Sequence, residues 1–373
     1  MKKICHITTV HSLLDTRIFY KECQTLVKHG YDVSLIVQYD DSVVIDGVKI
    51  IPLPEPKNRL YRMLFLTRKA YKLALEQKAD IYHFHDPEFL PWAVRLKKKT
   101  GAKIIYDIHE DYPKQILSKH WIPNFLRKLI ANLFSIYEKR EVKKIDYLIT
   151  VGEDVKKRLE TINSNIEILK NFPILKKFDI KNKKNKDNDI FNLIYVGGLA
   201  EERGITQIVQ AMEYLPDNIK LTLLGKFSSK EYEEIVKALG GFQKTEYAGQ
   251  VSHDTVIKSL IGADVGLVCP WPVKNYYNAA GLTKMFEYMA AALPIIASNF
   301  PLWKEIIEGN NCGICVNPLE PKEIAKAVEY LIKHPEEARK MGENGRKAVL
   351  EKYNWENESK KLLEVYEELT KNR

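Results

Sequence analysis

Two short runs concentrate side chains suited to acid–base or ligand chemistry, His83-Phe84-His85-Asp86 and His109-Glu110-Asp111, each set where an apolar stretch ends. His-x-His at a strand end also opens metal-dependent hydrolases. Such a site needs further His or Asp ligands from later strand ends, where this chain carries glycines and an arginine, so no metal is expected. Glu110 and Asp111 stand where they can cap the next helix. Asp15 and Arg17 stand where the first loop becomes helix, either as an N-cap with a surface arginine or as ligand contacts.

Two glycine-bearing loops follow. In Val196-Gly197-Gly198-Leu199-Ala200-Glu201-Glu202-Arg203-Gly204, paired glycines after a strand expose backbone N–H groups to an anion, and Arg203 can hold phosphate bidentately. The second loop, Asn278-Ala279-Ala280-Gly281, enters a helix at Leu282-Thr283-Lys284. Its N-terminal amides and Thr283 can bind phosphate with Lys284 as counter-charge. Glu287 lies one turn on, either accepting hydrogen bonds from ribose hydroxyls or serving only as a first-turn acid favoured by the helix dipole. The first loop, Thr8 to Asp15, has no glycine, which disfavours a G-x-G-x-x-G dinucleotide site. Cys312 and Cys315 form a C-x-x-C without two further ligands nearby and are expected on a buried strand.

These loops must be positioned by elements, and strand alternates with helix along most of the chain. Strands are expected at Lys3 to Val10, Tyr31 to Val37, Val48 to Leu53, Ile81 to Phe84, Lys103 to Ile108 and Tyr147 to Val151. The polar run Lys181 to Asp189 has too little apolar content for a core. The alternation then restarts at Phe191 to Val196, with further strands at Lys220 to Leu224, Asp264 to Val268 and Pro294 to Ala297. The chain is therefore read as α/β with two Rossmann-like domains, 1–170 and 190–352, a linker over 171–189, and a C-terminal helical segment over 353–373. A ligand is expected in the cleft between the halves, at the carboxyl ends of the strands. The 45% hydrophobic residues come in short clusters, which excludes collagenous, coiled-coil and long disordered chains and leaves no stretch able to span a bilayer. Two early lysines are followed by His6, His11 and Asp15, which interrupt any signal-peptide core, so a cytoplasmic location is expected. Five cysteines fit a reducing compartment.

The runs Gly281 to Ala290, Pro294 to Ser298, Asn310 to Ile314 and Tyr195 to Gly204 resemble the donor-binding half of family-4 glycosyltransferases of the GT-B fold. Asp15 to Phe19, Gly30 to Val33, Tyr82 to Asp86 and Tyr106 to Asp111 are similar to a bacterial branch of that family that assembles capsular, exo- or lipopolysaccharide. The resemblance implies two parallel sheets facing a central cleft, with the C-terminal helix crossing back to the N-terminal domain. It also implies retaining transfer from a nucleotide sugar, UDP favoured over GDP, with neither cofactor nor metal. Glu287 would hold the donor ribose as the second acid of an E-x7-E pattern. Ala279 stands where the first acid belongs, and Gly198 stands where many members have arginine. Arg203 would serve on the diphosphate, beside amides of Gly197, Gly198, Leu199, Gly281, Leu282 and Thr283. Apart from the resemblance, Lys284 is expected to supply the positive charge missing at Gly198. His109 would contact the transferred sugar, with Asp15, Arg17, Glu110 and Asp111 on the acceptor side.

The net charge of +9 invites anionic partners. Lys57 to Lys78 and Lys114 to Lys144 interleave basic residues with apolar ones such as Leu60, Met63, Leu64, Phe65, Trp121, Phe125, Leu129 and Leu133. That mix suits a helix lying on anionic lipid, or equally an amphipathic helix with a basic rim. A lipid-linked glycan acceptor is expected from it. Nucleic acid is disfavoured, because the basic residues form no stacking platform. A nucleotide-sugar epimerase of the same fold, a soluble-glucan phosphorylase or synthase, and a basic nucleic-acid-binding protein are the alternatives.

Overall fold

The computed structural model describes residues 1–119, 122–180, 190–277 and 282–371. Its contacts divide the chain into one unit of Met1–Asn171 with Glu356–Arg373 and another of Phe172–Trp355.

The first unit is built on an eight-stranded sheet. Its strands are β1 (Lys3–Ile7), β2 (Asp32–Gln38), β3 (Val43–Ile45), β4 (Val48–Leu53), β5 (Ile81–Phe84), β6 (Lys103–Ile108), β7 (Tyr147–Thr150) and β8 (Ile166–Ile168), in the order β3-β4-β2-β1-β5-β6-β7-β8. All neighbours are parallel except the edge pair β3/β4. Helices shield both faces, so central strands read as unbroken apolar runs such as Leu35-Ile36-Val37. Register then decides which polar side chains meet. His6 pairs with His83, and His83 with Ile105. Because strands alternate faces every residue, His6, His83, His85 and Asp107 share one side of the sheet.

The chain leaves β1 through a loop that Asp15 turns into helix, its Oδ1 accepting from Arg17 N at 2.8 Å and Ile18 N at 2.9 Å. The first turns, Thr16–Cys23, are π-helical before the helix tightens at Gln24–Lys28. In an α-helix Arg17 and Glu22, five residues apart, would point about 140° apart. The wider π turn brings them side by side, Arg17 Nε standing 3.1 Å from Glu22 Oε1. The C-terminal helix, Trp355–Lys371, buries Leu362, Val365 and Tyr366.

The second unit has six parallel strands: β9 (Phe191–Val196), β10 (Ile219–Leu224), β11 (Thr245–Gly249), β12 (Val265–Val268), β13 (Ile295–Ser298) and β14 (Gly313–Val316). Their order, β11-β10-β9-β12-β13-β14, is the doubly wound dinucleotide-fold arrangement. Gly204, which ends the loop after β9, has φ +75°, and a Cβ there would stand 1.9 Å from the Cys269 carbonyl oxygen. Only glycine lets this loop lie against the end of β12. Cys312 is buried beside β14 and Cys315 lies on it, both as free thiols pushed up to about 12 by burial.

Most expected strands fall within a residue or two of those observed. β3, β8 and β11 carried no expectation, and all three lie at sheet edges or next to them. They are short, and the pattern of β11 is mixed rather than apolar. Residues 181–189 of the expected linker, together with Trp121, Ala279 and Gly281, lie outside the described residues.

Candidate functional site

In both units the chain leaves the first strand to one side and later pairs on its other side, at β1/β5 and β9/β12. Such a switch point opens a crevice at the carboxyl ends of the strands. In the first unit it gathers a buried polar network. Arg17 forks onto Asp107, Nε to Oδ2 at 2.7 Å and Nη2 to Oδ1 at 2.9 Å, and its Nη1 donates to the Leu169 carbonyl at 2.8 Å. Asp107 Oδ2 also meets His109 Nε2 at 2.9 Å and His85 Nδ1 at 3.3 Å. Burial works to raise the Asp107 pKa, but Arg17, His109 and His85 outweigh it and hold the carboxyl well below the usual range. His109 leans out of this network and sets its ring 4.8 Å from that of His11. His11 Nδ1 in turn meets Asp15 Oδ2 at 3.2 Å. Asp86 ties the two loops together, accepting from Thr9 N at 2.6 Å and Thr8 Oγ1 at 2.9 Å.

In the second unit the helix Thr283–Ala290 starts beside the Gly197-Gly198 turn. Lys284 is buried, and its Nζ makes no hydrogen bond among the described residues. It rests 3.9 Å from the centre of the Tyr195 ring, and a Cβ on Gly197 would come within 2.7 Å of it. Burial first, then the Arg203 charge, push the Lys284 pKa well down, against a pull from Glu287. Arg203 lies over the Tyr276 ring at 4.7 Å. Glu287 Oε1 faces His253 Nε2 at 3.3 Å. A buried ammonium that rests on a ring face and makes no hydrogen bond among the described residues calls for an anion, and the start of the helix favours negative charge at the same place.

The sequence model described as Glycosyltransferase Family 4 matches residues 16–172, and the one described as Glycosyl transferases group 1 matches residues 176–348. The chain belongs to the family-4 glycosyltransferases. An uncharacterized glycosyltransferase of Methanocaldococcus jannaschii is 24% identical over 376 residues, covering 91% of this chain and 90% of that one. Sucrose-phosphate synthase of Thermosynechococcus elongatus superposes over 100% of both chains with a TM-score of 0.78 at 20% identity. HepE of Anabaena, solved in complex with UDP-glucose, superposes over 99% of this chain and 100% of that one, with a TM-score of 0.70 at 13% identity. These likenesses establish the two-domain GT-B fold.

The structure corrects several expectations about this glycosyltransferase. Arg17 is not a surface or acceptor group, because it is buried and both ends of its guanidinium are taken by Asp107, Glu22 and Leu169. Asp15 is the helix N-cap and the partner of His11. The Gly197 amide cannot reach a phosphate, since it donates to Leu224 O at 2.8 Å and so extends the β9/β10 ladder. Leu199 is likewise consumed by the fold: its side chain is buried, its N–H donates to Lys226 O and its carbonyl accepts from Ser228 N. The amides of Gly198, Leu282 and Thr283 make no such backbone bonds among the described residues. Asp111 occupies the N-cap position of the helix Tyr112–Leu117 but makes no cap bond, pairing instead with Lys114 at 3.1 Å and Arg158 at 3.6 Å. Glu110 is exposed and accepts from Gln115 Nε2. His109 thus belongs to the first unit, and Arg203, Lys284 and Glu287 to the second.

Three residues that sequence reasoning passed over stand at these sites. His253 reaches Glu287 from the start of a helix whose N-cap is Ser252, and its place just after β11, at a carboxyl end, is the signal that marks it. His6 on β1 and Glu22 in the π-helical turn stand against His83 and His85, ligand-type neighbours that come from earlier in the chain rather than from later strand ends.

An uncompensated buried cation is tolerated only for what it binds. Replacing Lys284 by the near-isosteric methionine therefore raises the stability of the ligand-free enzyme, by about 1 kcal/mol or more, read as the midpoint of chemical denaturation. A midpoint that falls instead would show that the ammonium already has its partner within the protein.

Proposed function

We propose that this glycosyltransferase moves a sugar from a nucleoside diphosphate sugar, UDP favoured over GDP, to a lipid-linked glycan acceptor with retention at the anomeric carbon. The observation that carries the donor assignment is the buried Lys284, whose Nζ makes no hydrogen bond among the described residues, at the Gly197-Gly198 turn and the start of the helix Thr283–Ala290. In this reading the diphosphate lies on the amides of Gly198, Leu282 and Thr283, with Arg203 and Lys284 neutralising it. As the glycosidic bond breaks, negative charge grows on the departing diphosphate, and these prepositioned donors stabilise it. Glu287, steadied by His253, accepts hydrogen bonds from the ribose hydroxyls. His109, fixed by Asp107, orients the transferred sugar, and Glu110 faces the acceptor. The likeness to a chain solved with UDP-glucose supports the choice of UDP.

The acceptor assignment rests on an apolar stripe. In the helix Asn124–Val142, Phe125, Leu129, Leu133 and Ile136 recur at helical spacing and face solvent, with exposures of 82%, 54%, 57% and 66%. Leu60, Met63, Leu64 and Phe65 are exposed as well, and Lys128, Arg68 and Lys69 lie exposed among these segments. Arg62, in contrast, forks onto Glu88 at 2.7 and 3.1 Å and is not available to lipid. Among the described residues no helix is long and apolar enough to cross a membrane. The reading is a peripheral enzyme on the cytoplasmic face of the membrane, extending a cell-surface polysaccharide or glycolipid.

A thermal-shift panel of UDP, GDP, ADP and CMP tests the donor site. Selective stabilisation by UDP, about 2.7 kcal/mol at 100 times its dissociation constant, is expected in the wild type and lost in Glu287→Ala. Indifference of the wild type to all four nucleotides would remove the donor assignment. Cosedimentation with anionic vesicles tests the acceptor side: wild type pellets, and Phe125→Ser/Leu129→Ser/Leu133→Ser stays in the supernatant. Equal pelleting of the two proteins would contradict a membrane-facing stripe.

A further inference from the structure

We propose that the first unit holds one structural divalent transition-metal ion, zinc by its donor set, on His6 Nδ1, Glu22 Oε2, His83 Nε2 and His85 Nε2. All four side chains are fully buried. Glu22 Oε2 stands 3.9 Å from His6 Nδ1, 4.0 Å from His83 Nε2 and 3.9 Å from His85 Nε2, and His6 Nδ1 stands 3.1 Å from His85 Nε2. One ligand atom from each residue lies within 4.8 Å of the other three. Donors at 2.0–2.1 Å around a tetrahedral ion stand about 3.3 Å apart, so closing the set requires shifts of less than about 1 Å per side chain.

Two further observations favour an ion over an ordinary buried hydrogen-bond network. The first is satisfaction. His83 Nε2 and both Glu22 oxygens make no hydrogen bond among the described residues, although Glu22 Oε1 faces Arg17. Buried polar atoms are left this way rarely, and two of these, His83 Nε2 and Glu22 Oε2, face the shared centre. The second is the outer ring of partners. His83 Nδ1 meets Tyr366 Oη at 2.8 Å, His6 Nε2 meets the same oxygen at 3.2 Å, and His85 Nδ1 meets Asp107 Oδ2 at 3.3 Å. Each histidine thus has its outward nitrogen engaged while its inward nitrogen faces the shared centre, the arrangement in which outer partners orient metal-bound imidazoles. Charge points the same way, because the single Arg17 guanidinium sits between two buried carboxylates, Asp107 and Glu22. The three imidazoles and one carboxylate, closed from solvent on four sides, suit zinc in a structural rather than a catalytic role.

The consequence for the glycosyltransferase is positional. The ion would fasten β1, β5, the π-helical turn and, through Tyr366, the C-terminal helix. Through His85 it would fix Asp107, which holds His109. This inference is independent of the donor assignment and survives or fails without it.

Elemental analysis of the full chain, purified without an immobilised-metal column, is expected to find about one zinc ion per chain, falling to roughly a tenth of that in Glu22→Gln and His83→Ala. Chelator-stripped wild type is expected to take up one cobalt(II) ion with the visible d–d bands of tetrahedral coordination and to regain its lost melting temperature. The cobalt spectrum reads the site in the wild type, whether or not a variant folds. Wild type that carries no stoichiometric metal and neither binds nor is stabilised by added zinc or cobalt overturns the proposal. So do folded variants that retain the full metal content.

Discussion

Parallel strands need long crossover connections, and in both sheets those connections diverge from the first strand, to β2 on one side and β5 on the other, and to β10 and β12 in the second unit. At that divergence the carboxyl ends of two central strands open into a crevice rather than into a packed helix. The largest clusters of buried polar side chains among the described residues gather there. The first unit places His6, His83, His85 and Asp107 on one face by register alone, and the second places the Gly197-Gly198 turn against Lys284.

The two crevices handle buried charge in opposite ways. In the first, Arg17 is saturated by two carboxylates and a carbonyl, which makes it part of the scaffold that orients His109. In the second, Lys284 is held over Tyr195 and makes no hydrogen bond among the described residues, which leaves its ammonium open to a ligand. A buried charge that has its partners stabilises a fold, whereas one left without them weakens it and is retained for binding. A like contrast runs through the basic residues of Lys57 to Lys78, since Arg62 is bound to Glu88 while Arg68 and Lys69 lie exposed.

Much of this was legible in the sequence, and the remainder was hidden for definite reasons. Unbroken apolar runs such as Lys103–Ile108 and Phe191–Val196 give their strands away, because burial on both faces demands them. The glycine loops could be located, but not the allocation of their amides: Gly197 reads like Gly198 until the ladder to Leu224 is seen. Glu22 was invisible because helical reasoning assumes 3.6 residues per turn, and the Thr16–Cys23 turns are wider. His6 was masked by apolar neighbours within its own strand, and only the pairing of β1 with β5 sets it beside His83. Arg17 read as exposed because a charged residue one turn into a helix usually is.

The central claim is that the crevice beside Lys284 is the donor site, and a crystal structure of the enzyme soaked with UDP tests it most directly. The account predicts diphosphate density within hydrogen-bond distance of Lys284 Nζ and the Gly198 and Thr283 amides, with the ribose on Glu287. Nucleotide bound elsewhere, with Lys284 still resting on Tyr195 and contacting no anion, would contradict it.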